Sequence, residues 1–453
     1  MTAPVTAAPG GTGGKLHRTL TFRDLVVYGM LFIAPMAPVG IFGTLDAKSH
    51  GAVALVYVVA TVAMAFTAFS YAQMVRVAPQ AGSVYTYARV GLGEGPGFVA
   101  GWMALLDYLL IPAVAYLFSG IALHALVPSV SQWVWTAVAV AVTTALNLAG
   151  VRTAAVVGFL VLAMEIAVLL VFVVCAIFAL SDRGAQRDWL SPLTGEAGFT
   201  TGAVVAAVSV AVLSYLGFDA IAAFAEEAAG GSERVARAVV TSLAVAGVLF
   251  VLQTYLAALL APMPAAELAA NPAAQGSAFY DTVDSATGRW LHDLVAVSKA
   301  VGAAFAALAG QAAAGRLLFA MARDRRLPGV LSKVDRASGV PRVAVLGAAV
   351  VNLVAAVWAA RRDDGLDRLV SVVDVGALVA FALLHLSVIG WFAVRRRGGE
   401  LRPVPHVVVP LLGLAVVIAV IVKAAPTAQL VGGAWLVAGL GVLGAEVFRK
   451  GPE

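Results

Sequence analysis

Five ionisable residues lie inside long apolar runs of this 453-residue chain: Asp107, Glu165, Asp219, Asp374 and Lys299. A charge in hydrocarbon costs at least about 2.5 kcal/mol on insertion scales, so such residues mark ion pathways, proton relays or substrate contacts. A buried carboxylate without a cationic partner is pushed toward its neutral form and can then trade a proton near neutral pH. Four acids against one base make the interior net acidic. That excess suits a cationic ligand such as a diamine or basic amino acid, and proton coupling explains it equally well.

The elements that position these residues follow from composition. Hydrophobic residues make up 61% of the chain and charged ones 12%, which excludes a soluble domain. The apolar residues fall in runs near the roughly 20 residues that cross ~30 Å of hydrocarbon. Twelve spans are expected, at about 22–47, 52–77, 96–125, 131–149, 154–180, 202–226, 236–261, 291–322, 341–359, 367–394, 406–423 and 428–447. An even number leaves both termini on one side. Twenty-one of the 30 basic residues then fall on that side, so the positive-inside rule makes it cytoplasmic. Residues 1–14 are small and uncharged, with no basic segment leading into an apolar one, and read as a disordered tail rather than a signal peptide. The single cysteine, Cys175, excludes an intramolecular disulfide and a cysteine zinc site.

Two spans read as interrupted. Span one carries Pro35, Pro38 and Gly40 in mid-membrane, where freed backbone groups must line a cavity because lipid cannot satisfy them. Span six carries Ser214-Tyr215-Leu216-Gly217-Phe218-Asp219, a weaker break. These positions correspond if the first ten spans form two five-helix repeats of opposite topology, and paired interrupted spans point to a transporter's central site. At such breaks, helix N-termini attract carboxylates, while C-terminal carbonyls receive ammonium groups or sodium.

Several segments carry a family resemblance: SHGAVALVYVVATVAMAFTAFSYAQM (49–74), PQAGSVYTYARVGLG (79–93), LLDYLLIP (105–112), NLAGVRT (147–153), YLGFDAIAAFAEEA (215–228), AGQAAAGRLLFAMARDRRLP (309–328) and VGALVAFALLHLSVIGWF (375–392). Together they resemble the amino acid, polyamine and organocation permeases, with the DYLLIP and LLFAMARDRRLP segments most like the putrescine-importer branch. The resemblance implies an all-α integral membrane fold with twelve transmembrane helices, an inverted five-plus-five repeat (LeuT-like) and two additional C-terminal helices. The corresponding organisation is a cytoplasmic tail (1–20), a first repeat (21–180), an extracellular loop (181–201), a second repeat (202–394), then two additional helices and a short tail (395–453). It also implies carriage of amino acids or amines by symport or exchange. The family's usual Gly-x-Gly-Ile-Phe-Gly stands here as Pro38-Val39-Gly40-Ile41-Phe42-Gly43, so the first glycine is absent.

The substrate site is therefore expected at Ala34, Pro35, Met36, Val39, Gly40, Asp107, Tyr108, Ser214, Tyr215, Gly217, Phe218 and Asp219. Asp107 and Glu165 sit about ten residues from their span starts, roughly 15 Å deep. Asp219 resembles the family's acidic position after the span-six break, with a substrate, coupling or structural role. Glu165 stands about where some relatives carry a lysine, and coupling, attraction of a cation and simple pairing all remain open for it. Lys299 and Asp374 are expected to pair or gate, Lys299 alternatively reaching outward to the interface. Glu226 and Glu227 are expected to face Arg234 and Arg237 as an ion-pair cluster. Tyr108, Tyr116, Tyr215 and Phe218 could cover an alkyl chain or an ammonium.

No nucleotide-binding Gly-x-x-x-x-Gly-Lys-Ser/Thr segment occurs, nor a His-Glu-x-x-His pair or Gly-x-Ser-x-Gly elbow, so ATP-driven pumping and enzyme activity are not expected. No cofactor is expected. The partners expected are a small cationic or zwitterionic substrate, a proton or sodium ion as coupling ion, and the lipid bilayer, with no nucleic acid. The leading expectation is an inner-membrane permease importing a polyamine such as putrescine by proton symport. A basic or neutral amino acid is the alternative substrate, and a transporter-like sensor is a remote one.

Overall fold

A computed structural model describes residues 18–127, 129–335, 338–362, 365–397, 400–423 and 426–450, so most of the expected tail lies outside the described residues. The helices in chain order are α1 Phe22–Ile33, α2 Phe42–Lys48, α3 Val53–Val77, α4 Val84–Gly91, α5 Glu94–Leu126, α6 Gln132–Ala149, α7 Val151–Arg183 and the one-turn α8 Ser191–Thr194. They continue with α9 Thr201–Ala211, α10 Ser232–Leu260, α11 Ala265–Ala270, α12 Ala278–Thr287, α13 Arg289–Arg323, α14 Arg342–Ala360, α15 Gly365–Ile389, α16 Val409–Lys423 and α17 Pro426–Lys450. Among the described residues, eleven helical segments are long and apolar enough to cross a membrane, and Gln429–Gly444 within α17 is a shorter apolar one.

Both expected breaks are present. The Thr21 side chain and Asp24 cap α1 reciprocally, and α1 stops at Ile33. Pro35 disfavours a helical conformation at Ala34, which adopts φ +60°. The chain then makes one tight turn over Ala37–Gly40 before α2. The span-six break is deeper than its polar residues suggest. After α9 the backbone tightens over Val212–Tyr215, passes Gly217 at φ +117°, and runs in tight turns over Phe218–Phe224.

Around the breaks, α13 and α15 pack on α5, and α10 packs on α3. The backbone amides of Thr19 and Leu20 donate to the Glu227 carbonyl, which joins the start of span one to the end of span six on what is called here the terminal face. Outside the expected spans, α4 lies between α3 and α5, and α11 and α12 lie between α10 and α13.

Candidate functional site

A cavity of about 170 Å³ lies at the paired breaks. It is smaller than the ~300–1,000 Å³ of drug-sized sites, so it fits a small solute. Its walls come from span one (Phe32, Ala34, Gly40), α5 (Ile111, Phe118), span six (Leu213, Ser214), α13 (Lys299, Ala303) and α15 (Val373). Gly40, Ile111, Phe118, Lys299, Ala303 and Val373 belong to the halves of their spans away from the terminal face, while Phe32, Ala34, Leu213 and Ser214 stand at the breaks themselves. Ala37, Gly40, Ile41, Phe118 and Lys299 are half-buried, whereas Asp219, Tyr108 and Ser83 beyond the breaks are sealed. The cavity is thus one-sided.

The expected residues divide on this geometry. Ala34, Gly40 and Ser214 line the cavity, together with Lys299, which was expected to pair or gate. Lys299 makes no ion-pair contact within 4.0 Å among the described residues, but its charge acts on the buried Glu165 carboxylate, and its Nζ donates to the Met36 carbonyl in the span-one break at 3.2 Å. Pro35 contributes a carbonyl too, but it accepts from Gln253 Nε2 of α10 at 2.9 Å. Val39 is buried and outside the wall.

Asp219 is also outside the cavity wall. Its Oδ2 accepts from the Tyr108 hydroxyl at 2.5 Å and from Tyr71 at 3.3 Å, while Oδ1 accepts from the Gly217 amide at 3.2 Å. Those bonds fasten the unwound part of span six to α3 and α5. Tyr215 fastens the stretch just before it, with its hydroxyl 2.6 Å from Thr61 Oγ1 and 3.2 Å from the Tyr57 carbonyl. The Phe218 ring packs edge-on to Tyr71. Tyr116 pairs with Thr143 of α6 at 2.6 Å rather than covering the cavity. Asp107 is buried at the contact of α5 with Gly376 of α15. Asp374 lies within α15, but its side chain is outside what is described.

Glu165 is fully buried on α7, and neither carboxylate oxygen has a hydrogen-bond partner among the described residues. It abuts Gly302 so closely that any β-carbon there would collide with the carboxylate. Gly302 is one turn along α13 from Lys299. A buried carboxylate left without donors is costly, and such orphans occur where a group must exchange a proton or a partner.

The terminal face is shut by ion pairs, and here the expected partners are corrected. Glu227 pairs with Arg316 of α13, Nε to Oε1 at 2.6 Å and Nη2 to Oε2 at 3.0 Å, with both side chains at most 2% exposed. Glu226 pairs with Arg323 at 2.8 Å and accepts from the Ala81 amide at 2.9 Å. Arg234 instead folds back on its own turn, donating to the Ala229 carbonyl at 3.1 Å, and Arg237 is exposed. The tight-turned end of span six, Phe218–Phe224, packs on α1, α10 and α13 together, which brings Glu226 and Glu227 within reach of the α13 arginines. Arg89–Asp324 at 2.5 Å and Arg326–Glu94 at 2.8 Å extend the seal to α4 and α5. On the opposite face, Arg187 grips Asp46 of α2 through both guanidinium nitrogens, at 3.1 and 2.8 Å, and donates to the Met263 carbonyl.

The residues missed by sequence reading are the apolar wall, Ile111, Phe118, Leu213 and Val373, which no pattern separates from ordinary packing positions, and Arg316 as the partner of Glu227.

A multi-pass helical bundle with a small one-sided cavity between two interrupted spans defines a membrane transporter. The chain belongs to the amino acid permease family, whose sequence model matches residues 25–444, within the amino acid, polyamine and organocation permeases. It is 28% identical over 440 residues to the low-affinity putrescine importer PlaP of Escherichia coli (strain K12), covering 95% of this chain and 94% of that one. It is 27% identical over 464 residues to the branched-chain amino acid permease BcaP of Lactococcus lactis subsp. cremoris, covering 96% and 95%. It is 28% identical over 432 residues to the methylthioribose transporter of Bacillus subtilis, covering 89% and 87%. The family and these relatives are transporters and not enzymes.

Proposed function

We propose that the protein imports a small amino compound across the inner membrane by proton-coupled alternating access, with both termini in the cytoplasm. The observation that carries this is the one-sided cavity: solute reaches the paired breaks from the face opposite the termini, while ion pairs close the terminal face. Opening that seal and closing the cavity mouth would release the solute inward. Coupling is assigned to Glu165 rather than Asp219, because the oxygens of Glu165 accept no hydrogen bond among the described residues and both oxygens of Asp219 are engaged.

Two substrate classes stand. The likeness to the putrescine importer favours a diamine. The apolar walls beside a lysine favour an amino acid with an apolar side chain, which accords with the likeness to the branched-chain permease. Uptake into proteoliposomes of labelled putrescine, leucine, arginine and glutamate, with and without an inward proton gradient, tests the reading. Accumulation of one of them that collapses with an uncoupler is the expected result. Saturable uptake indifferent to the uncoupler would remove the proton from the mechanism, and no uptake of any amino compound would overturn the function.

A further inference from the structure

We propose that Lys299 selects the substrate: its ammonium receives a carboxylate in the cavity, so the cargo is an amino acid with an apolar side chain and not a diamine. This rests on the reading of the cavity as the substrate site. Lys299 is half-buried in the wall, and the Met36 carbonyl uses one of its three donors. The remaining donors can serve a ligand. The broken backbone of span one is a poor alternative for a carboxylate. The amides of Ala37, Val39 and Ile41 already donate to the carbonyls of Ala34, Met36 and Pro38, and Pro35 and Pro38 have no N–H. The backbone cradle is therefore largely spent, and the charged donor beside it comes from α13.

The other walls suit an aliphatic body. Phe32, Ile111, Val114, Phe118 and Leu213 surround the space, and apolar surroundings strengthen the attraction of opposite charges as well as the repulsion of like ones. A diamine would bring a second cation against Lys299. An amino acid brings one group of each sign: its carboxylate meets Lys299, and its ammonium turns to the carbonyl ends of the tight turns around Ser214. The lysine also sits one turn from Gly302, against which Glu165 packs, so arrival of the carboxylate is felt at the coupling group.

The test uses the full chain in proteoliposomes and in detergent. Wild-type protein should be stabilised against heat by leucine and not by isoamylamine, which has the same kind of body without the carboxylate, nor by putrescine. Lys299→Gln should raise KM for leucine about 10- to 100-fold, the loss of a charge-assisted hydrogen bond, with little change in kcat. Lys299→Arg should retain most of the affinity, and Lys299→Glu should turn inhibition by putrescine on. Stabilisation of wild-type protein by putrescine or isoamylamine in preference to leucine would overturn the proposal without any variant, as would an unchanged KM in Lys299→Gln. Failure of wild-type protein to carry either class would instead strike the transport reading beneath it.

Discussion

A single β-carbon at position 217 would stand 2.7 Å from the Phe32 ring, at a backbone φ of +117° that only glycine adopts without strain. The same ring is pressed from the other direction by Gly310 of α13, where a β-carbon would reach it at 2.6 Å. Phe32 lines the cavity, so its freedom is set by two glycines on two different spans. Gly217→Ala is expected to lower stability by at least ~1 kcal/mol and to raise KM by displacing Phe32, measured by thermal unfolding in detergent alongside uptake. Glu165→Gln keeps the shape of the orphaned carboxyl but cannot cycle a proton. It should abolish gradient-driven accumulation while leaving solute-for-solute exchange, and full accumulation in that variant would return coupling to another acid. The intramembrane acids were legible because charge is rare in apolar runs, yet their employment was not. Asp219 holds backbone and hydroxyls, and Glu165 accepts no hydrogen bond among the described residues and feels only the charge of Lys299, because partners come from α3, α5 and α13 and leave no mark on the local sequence.

At the scale of elements, the break in span one was legible because proline removes donors wherever it stands, and that in span six because polar residues and a glycine interrupt an apolar run. The depth of the second break was less so, since it depends on Gly217 in a left-handed conformation and on side chains of α3 that tether Tyr215 and Asp219. That unwinding redirects Glu226 and Glu227 from the nearby Arg234 and Arg237 to Arg323 and Arg316, almost a hundred residues on. Arg316 also lies over the Phe224 ring at 4.3 Å and donates to the Ala312 carbonyl, so it bolts span six to α13. Removing one partner of such a buried pair costs about 3–5 kcal/mol. Arg316→Leu should therefore weaken closure of the terminal face. A cysteine placed at Ala81 is expected to react faster with a maleimide applied from that face in the Arg316→Leu background, and unchanged reactivity would mean that the pair does not hold the seal.

For the whole molecule, hydropathy marked the eleven membrane-length helical segments found among the described residues, while the short helices α4, α11 and α12 escaped because none is a membrane-length apolar run. The asymmetry between an accessible cavity and a sealed terminal face is a property of the assembled bundle alone. It makes a topological prediction. With Cys175 replaced by serine, Phe118→Cys should be labelled by a membrane-impermeant maleimide added outside intact cells, and a transported substrate should protect it. Labelling only from the cytoplasmic side would reverse the orientation proposed here.

The last helix adds something of another kind. Trp102 of α5 and Trp435 of α17 each donate the indole N–H to the other's backbone carbonyl, at 2.9 and 2.8 Å, with their rings stacked 4.7 Å apart at 18°. Two indoles so close share their electronic transitions, so the chain carries its own optical label for the docking of α17. During a thermal melt followed by circular dichroism, a Trp–Trp couplet that fades before the helical signal would mean that the peripheral helix undocks first. A couplet that persists to the main transition would mean that bundle and periphery come apart as one body.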